Sequence, residues 1–217
     1  MKVRFIGDVH GLWNMYRDVI YRDMVDHNIE NSIQVGDLGM GFTSKGQWAP
    51  DSAAAFDKRF AKGNHRFIRG NHDNPEEVKK SAHYIHDGFY ETTDLGNTIM
   101  YVGGAWSIDW QWRTMGIDWW VDEELSMQEL NLLIEQYKDI QPDIMITHTA
   151  PINIPGGPMG IKIFGSGART EHALQEMLDA HRPKLWIFGH WHKNFDQVVD
   201  GTRFICLNEL DFIDLEV

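Results

Sequence analysis

Five places in the chain set an Asp, Asn or His just after, or at the end of, a short apolar run. Gly7-Asp8-Val9-His10 follows Lys2 to Ile6, and Gly36-Asp37 follows Ser32 to Val35. Gly70-Asn71-His72-Asp73 follows Arg66 to Arg69, His148 follows Asp143 to Thr147, and Gly189-His190-Trp191-His192 follows Lys184 to Phe188. Imidazole nitrogen and carboxylate oxygen suit divalent transition ions, and a carboxylate can bridge two of them. In extended backbone, residues two apart point to one side. That spacing lets Asp8 and His10 chelate one ion together, and His190 and His192 do the same, with Val9 and Trp191 pointing away. The glycines allow a sharp turn and a close approach of backbone to an ion or phosphate.

Each place also has an ordinary explanation. Asp8 can cap a helix or turn, Asp37 can be a turn residue, Asn71-His72-Asp73 can be the run-in to a helix at Pro75, and His148 can be a hydrogen-bonded core histidine. All would have to hold together, each at a strand's carboxyl end, and the joint pattern favours a metal site.

The elements that must position these residues can be read from periodicity. The five runs, together with Thr98 to Val102, Gln197 to Val199 and Arg203 to Leu207, are short and rich in β-branched or aromatic residues, as strands are. Leu12 to His27 carries Leu12, Met15, Tyr16, Val19, Ile20 and Met24 at helical spacing. Ser52 to Lys62 opens on a capping serine and stops at Gly63. Asn74-Pro75-Glu76-Glu77 is a helix start, and Ser126-Met127-Gln128-Glu129 is a capping box before Leu130, Leu133, Ile134 and Tyr137. Thr170 opens a last helix that ends before Pro183. Alternating strands and helices predict a single α/β layered domain over residues 1–217, with ligands bound beyond the carboxyl ends of the strands.

Composition narrows the function classes. The 217 residues are 42% hydrophobic and 24% charged, which excludes a disordered or fibrous chain. A net charge of −12 argues against long nucleic acid, since counterion release needs clustered Lys and Arg. No apolar run is long enough to span a membrane. The lone Cys206 can form neither an internal disulfide nor a thiolate cage, which together with an N-terminus that reads as a strand predicts a cytoplasmic protein.

The ordered set Asp-x-His, Gly-Asp, Gly-Asn-His-Asp, His and Gly-His-x-His resembles the calcineurin-like metallophosphoesterase superfamily. The resemblance runs from Asp8 to His192 and implies a four-layer αββα sandwich around a dinuclear metal centre. Carried over to this chain, Asp8, His10 and His192 hold one metal, Asn71, His148 and His190 hold the second, and Asp37 bridges them. His72 is then the residue near the leaving group, with Asp73 as its supporting partner. In the Ser/Thr protein phosphatases the second motif continues as Asp-Arg-Gly, with a phosphate-binding Arg. Here the chain reads Gly36-Asp37-Leu38-Gly39-Met40-Gly41, so that Arg is missing. Arg69 matches those phosphatases but stands on a strand, where a structural part is open to it. The stretch Gly103 to Asp109 with Arg113 and Trp119-Trp120 is similar to a segment of bacterial and phage members.

The expected chemistry is hydrolysis of a phosphate ester. Two metals about 4 Å apart clamp the phosphate and share a water, lowering its pKa toward neutrality so that the hydroxide attacks phosphorus in line. Two divalent ions set against Asp8, Asp37 and one hydroxide leave about +1 at the site, so it attracts an anion although the whole chain is acidic. His72 is expected to donate to, or hydrogen-bond, the leaving oxygen. Mn²⁺ is the expected ion, with Fe, Zn²⁺, Co²⁺ or Ni²⁺ compatible with the same donors. The partner is a phosphorylated substrate, a small molecule or a protein, and the leading reading is a phosphomonoesterase. A phosphodiesterase acting on cyclic nucleotides or short nucleic acids is the alternative, and an inactive scaffold of the same fold is the non-enzymatic one.

Three further features bear on the substrate. Arg113 is the candidate to replace the missing phosphate donor, since a guanidinium reaches two oxygens at once, although a surface ion pair is the ordinary reading. Arg169 follows the Gly- and Pro-rich stretch from Pro151 to Gly167 and could face the substrate. That stretch is either an ordinary loop or a lid. The block Trp106, Trp110, Trp112, Trp119, Trp120 reads as core packing with a partly buried cover, or as a cap whose rings stack on a flat group. Asp122-Glu123-Glu124 reads as a solvated approach to the helix at Ser126, with no part in chemistry.

Overall fold

Val3 and Phe5 turn to one face of the first strand and Arg4 and Ile6 to the other, and both faces are buried. A strand of this kind must lie inside a layered structure. The computed structural model describes residues 2–42, 52–163 and 167–217 and shows the layers. One sheet has the order β10-β1-β2-β3, with β1 Lys2–Ile6, β2 Asn31–Gln34 and β3 Asn64–Phe67 parallel and β10 Phe212–Glu216 antiparallel on the edge. The other has the order β4-β5-β6-β7-β9-β8. Its centre, β5 Thr98–Val102, β6 Ile144–Thr147, β7 Leu185–Phe188 and β9 Thr202–Cys206, is parallel, and β4 Tyr90–Thr92 and β8 Phe195–Val199 close the two edges antiparallel.

The inner faces share one apolar core. Val3, Phe5, Ile33 and Val35 meet Ile99, Tyr101, Ile144, Ile146 and Ile187 there. Helices cover the outer faces. Trp13, Tyr16, Ile20 and Met24 of α1 (Trp13–His27) pack with Phe56 of α2 (Ala53–Arg59), Val78 of α3 (Pro75–Val78) and Phe67. On the far side Leu130, Leu133, Ile134 and Tyr137 of α4 (Met127–Ile140) and Leu174, Met177 and Leu178 of α6 (Arg169–Ala180) cover Met145, Trp186 and Phe204. The layers are thus helix, sheet, sheet, helix, as the resemblance implies. A short α5 (Asn153–Gly156) lies between β6 and α6.

Local signals behave as their chemistry predicts. Ser52 accepts from Ala55 N–H, Asn74 from Glu76 and Glu77 N–H, and Ser126 and Glu129 form the reciprocal capping box. Leu12 and Met15 depart from the expected buried stripe and are exposed. The first precedes α1, and the second lies off the face carrying Trp13, Tyr16, Ile20 and Met24. Arg4, fully buried, is held bidentately by Asp214 at 2.7 Å and stacks over Phe212, so its charge is compensated inside the layer.

Candidate metal centre and substrate cavity

All five motif segments follow strands that run parallel within their sheets, and their ends meet at one edge of the sandwich. Three groups of potential ligands result: Asp8, His10 and His192; Asp37, His148 and His190; and His10, Asp37 and His72. The closest donors are nearly in contact. His10 Nε2 lies 3.0 Å from His192 Nε2, and His192 Nε2 lies 3.1 Å from Asp8 Oδ2. His148 Nε2 lies 3.2 Å from Asp37 Oδ1 and 3.1 Å from Asn71 Oδ1. Lone-pair donors converging this closely from separate elements are what a bound cation would order, so the donor set fits two divalent ions sharing Asp37.

The chelation geometry differs from the extended-strand expectation. β1 and β7 end at Ile6 and Phe188, and His10, Asp37, His190 and His192 all have positive φ, between 45° and 67°. Non-glycine residues in that region are uncommon and cluster at functional sites. The tight turns still gather Asp8 with His10, but they part His190 from His192. The His190 ring packs against His148, with centroids 5.1 Å apart, and His192 goes to His10 and Asp8. The motif glycines also serve by leaving space. A side chain at Gly70 would collide with the Asp37 carboxylate, and one at Gly189 with that of Asp8.

Second partners fix the candidate ligands. Both Asp8 oxygens accept from the His190 N–H, and Asp37 Oδ1 accepts from His72 N–H at 2.7 Å. His148 Nδ1 meets the Val35 carbonyl at 2.9 Å, which leaves Nε2 for the site. Burial opposes ionisation of Asp37, but His148, His72 and His10 outweigh it and hold the carboxyl well below its usual range. Burial likewise opposes the charge on His148, and Asp37 reverses the sign, raising it to about 9. Burial and the charge of His148 push His190 well down.

His72 lines the cavity beside these groups. Phe42 stacks on its ring at 4.7 Å, and Arg113 Nη2 sits 2.7 Å from its Nε2. A guanidinium only donates, so Nε2 is an acceptor there. Burial lowers His72 to about 4, against the pull of Asp37. Arg113 is held by Asp109 Oδ1 at 2.7 Å and by the Asp118 carbonyl. Its place on the cavity wall sets it apart from a plain surface ion pair.

Asp73 is removed from the cavity wall. Its buried carboxylate accepts from the backbone N–H of Leu38, Gly39, Met40 and Gly70, tying the second motif to the third. Arg169 also stays off that wall, because its guanidinium pairs with the side chain and carbonyl of Glu124. Arg69 is buried on Asp87 Oδ2 and the carbonyls of Asp122 and Glu123, a structural part. The acidic run at 122–124 is solvated only at Asp122: Glu123 and Glu124 are buried and accept from Ser107 and Thr170. The aromatic block is core only in part, and Trp110 and Trp112 stand exposed. Trp120 is buried, Trp106 and Trp119 are partly so, and Trp112 is 84% exposed.

The cavity, about 330 Å³, has Asp37, Asn71, His72 and His190 along one side. Trp106, Ile108, Arg113 and Trp191 line it, together with Ile161, Lys162, Ile163, Gly167, Ala168 and Glu171. The Pro151 to Gly167 stretch therefore does border the site, although residues 164–166 lie outside the described residues. Sequence reasoning missed Glu209, whose carboxylate stands 3.4 Å from His192 Nδ1 and 3.7 Å from His10 Nε2. The available signal was its place just beyond the Arg203 to Leu207 strand. Ser107 and Glu123 were missed as neighbours of Asn71, and no spacing in the sequence links them.

Comparison with known proteins agrees with this geometry. The fold is similar to that of TT1561 of Thermus thermophilus, at 11% identity and a TM-score of 0.63, over 96% of this chain and 89% of that one. It is also similar to a putative 5'-nucleotidase of Staphylococcus aureus, at 13% identity and a TM-score of 0.58, over 100% of this chain and 51% of that one. A third similar structure is a novel phosphatase of Mycoplasma pneumoniae, at 11% identity and a TM-score of 0.51, over 96% and 72% of the two chains. No curated protein matches the chain by sequence. Residues 1–194 match the calcineurin-like phosphoesterase profile, and that span contains every expected ligand. The chain therefore belongs to the calcineurin-like phosphoesterase family, whose members hydrolyse phosphate esters at a centre of divalent metals.

Proposed function

We propose that this phosphoesterase is a phosphomonoesterase acting on small phosphorylated molecules, with Mn²⁺ as a competent metal. Asp8, His10 and His192 would hold one ion, Asn71, His148 and His190 the other, and Asp37 both. Bound there, the ions supply Lewis-acid polarisation of the phosphoryl oxygens and an activated water. All donors are nitrogen or oxygen, and Cys206, buried and pushed up to about 12, offers no thiolate.

The observation that carries the monoester reading is Arg113. Asp109 fixes its Nε, while Nη2 stands on the cavity wall beside His72. A monoester phosphate has three free oxygens and a diester only two, so a monoester would keep one for this guanidinium after two had gone to the ions. Small substrates are favoured because the cavity, about 330 Å³, would leave room for a compact leaving group beside Trp106, Ile108 and Ile163.

The contact between Arg113 and His72 also orders the events. While Arg113 donates to Nε2, that nitrogen cannot serve a leaving group. An incoming phosphate draws the guanidinium onto its own oxygens and frees Nε2 to face the leaving oxygen. With Nε2 free, His72 would take a proton there from water and pass it to the leaving oxygen, returning to its neutral form, and Asp73 acts only by holding the loops that carry Asp37 and His72. Hydrolysis of para-nitrophenyl phosphate and of its bis-ester, with Mn²⁺ added, tests the reading. The monoester is expected to give the higher kcat/KM, and faster turnover of the bis-ester would assign the chain to diesters.

A further inference from the structure

Asn71 can serve a metal only through its amide oxygen, because the amide nitrogen has no lone pair to give. The two ends of a carboxamide have nearly the same shape, so something must decide which end faces the cluster. Here Asn71 Oδ1 faces His148 Nε2 at 3.1 Å, and Nδ2 donates to Ser107 Oγ at 3.0 Å. The Ser107 hydroxyl in turn donates to Glu123 Oε2 at 2.6 Å, while the Ser107 N–H donates to Glu123 Oε1 at 2.8 Å. Asn71, Ser107 and Glu123 are all buried. Arg69 holds the segment carrying Glu123 through the carbonyls of Asp122 and Glu123.

We infer that Ser107 and Glu123 are positioning residues that set the polarity of the Asn71 amide and so complete the second metal position. A carboxylate accepts and does not donate. With Glu123 taking both Ser107 donors, the hydroxyl has only lone pairs left for Asn71, and lone pairs select the NH₂ end. The oxygen must then face His148 and Asp37. This relay also links the Trp106-Ser107-Ile108 wall of the cavity to the metal centre. The inference rests on Asn71 being a ligand.

Glu123→Gln tests the direction of the relay with little change of shape. A glutamine NH₂ can donate to Ser107 Oγ, which frees the hydroxyl proton for Asn71 and lets the amide turn its nitrogen to the ion. The probe is Mn²⁺ alone, followed by calorimetric titration and by the electron paramagnetic resonance of bound Mn²⁺. Wild type is expected to bind two ions with a spin-coupled spectrum. Glu123→Gln is expected to keep one site and weaken the other on the order of 10- to 100-fold, with an isolated-ion spectrum at one equivalent or more. Adding Asn71→Asp to Glu123→Gln should restore the second site, because a carboxylate has no wrong end. A general loss of folding would not be repaired that way. Two wild-type sites in Glu123→Gln, or no recovery in the double variant, would overturn the relay. Fewer than two sites in wild type would instead overturn the dinuclear reading itself, and the relay with it.

Discussion

Around one face of the Asp37 carboxylate, Asn71 and His148 are buried and His190 half-buried, and the first two have a protein partner on their far side. Val35 holds the His148 ring, and Ser107 with Glu123 holds the Asn71 amide. On the other face His10 is partly open and the His192 side chain is 44% exposed, with the half-exposed Glu209 as its outer neighbour. One half of the centre is built into the interior, while the other joins the buried Asp8 to two histidines on turns that are open to solvent. Buried partners hold a ligand in place without competition from water, whereas an exposed ligand is ordered mainly by the ion it binds. The inner position should therefore be the tighter and the more easily broken from a distance.

Substitutions rank by where they fall. Asp37→Asn touches both halves and should lower kcat by at least about 10³-fold, beyond the 10- to 100-fold typical of an outer partner. Loss of that size with metal content intact would instead place Asp37 outside the ligand set. Arg113→Ala touches neither half. It should reduce kcat/KM for a monoester on the order of 10²-fold, as loss of one donor to developing charge does. Calorimetry should find its Mn²⁺ binding unchanged, and wild-type kinetics would remove Arg113 from substrate binding. Glu209→Gln probes only the open half. There Mn²⁺ affinity should fall about tenfold, while the inner site stays put. An equal effect on both sites would end the distinction between them.

The smallest effect concerns stability away from the centre. Burial, and then His83, lower His65 to about 4, and its Nδ1 lies 2.9 Å from Ser32 Oγ. The unfolded chain binds this proton near pH 6.5 and the folded chain only near 4. The contribution of His65 is thus complete above pH 6.5 and is lost as pH falls through 4. Denaturant unfolding of His65→Asn should show a shallower loss of stability between those limits than wild type. An unchanged slope would mean that His65 titrates alike in both states.

The candidate ligands were legible because each lies within a few residues of a strand end, most of them beside a glycine, signals carried by neighbours in sequence. The second sheet was largely legible for the same reason. Two strands escaped notice. Tyr90–Thr92 is three residues long, and Phe212–Glu216 alternates acidic residues along an edge. Edge strands carry little of the apolar signal that marks a central one. The division of His190 from His192 was hidden, since it depends on positive-φ turns that spacing does not report. Ser107, Glu123 and Glu209 were hidden for another reason. They approach the site from segments distant in sequence, and a buried Glu123 looks like surface charge until its partner is placed. Arg169 went the opposite way, because Glu124, read as solvated, is the group that holds it.

The central claim concerns where cations sit. A crystal of the protein soaked in Mn²⁺, with anomalous difference density measured at the manganese edge, tests it most directly. Two peaks about 4 Å apart are predicted, one enclosed by Asp8, His10, Asp37 and His192, the other by Asp37, Asn71, His148 and His190. A single peak, or ions bound away from the Asp37 carboxylate, would contradict the account.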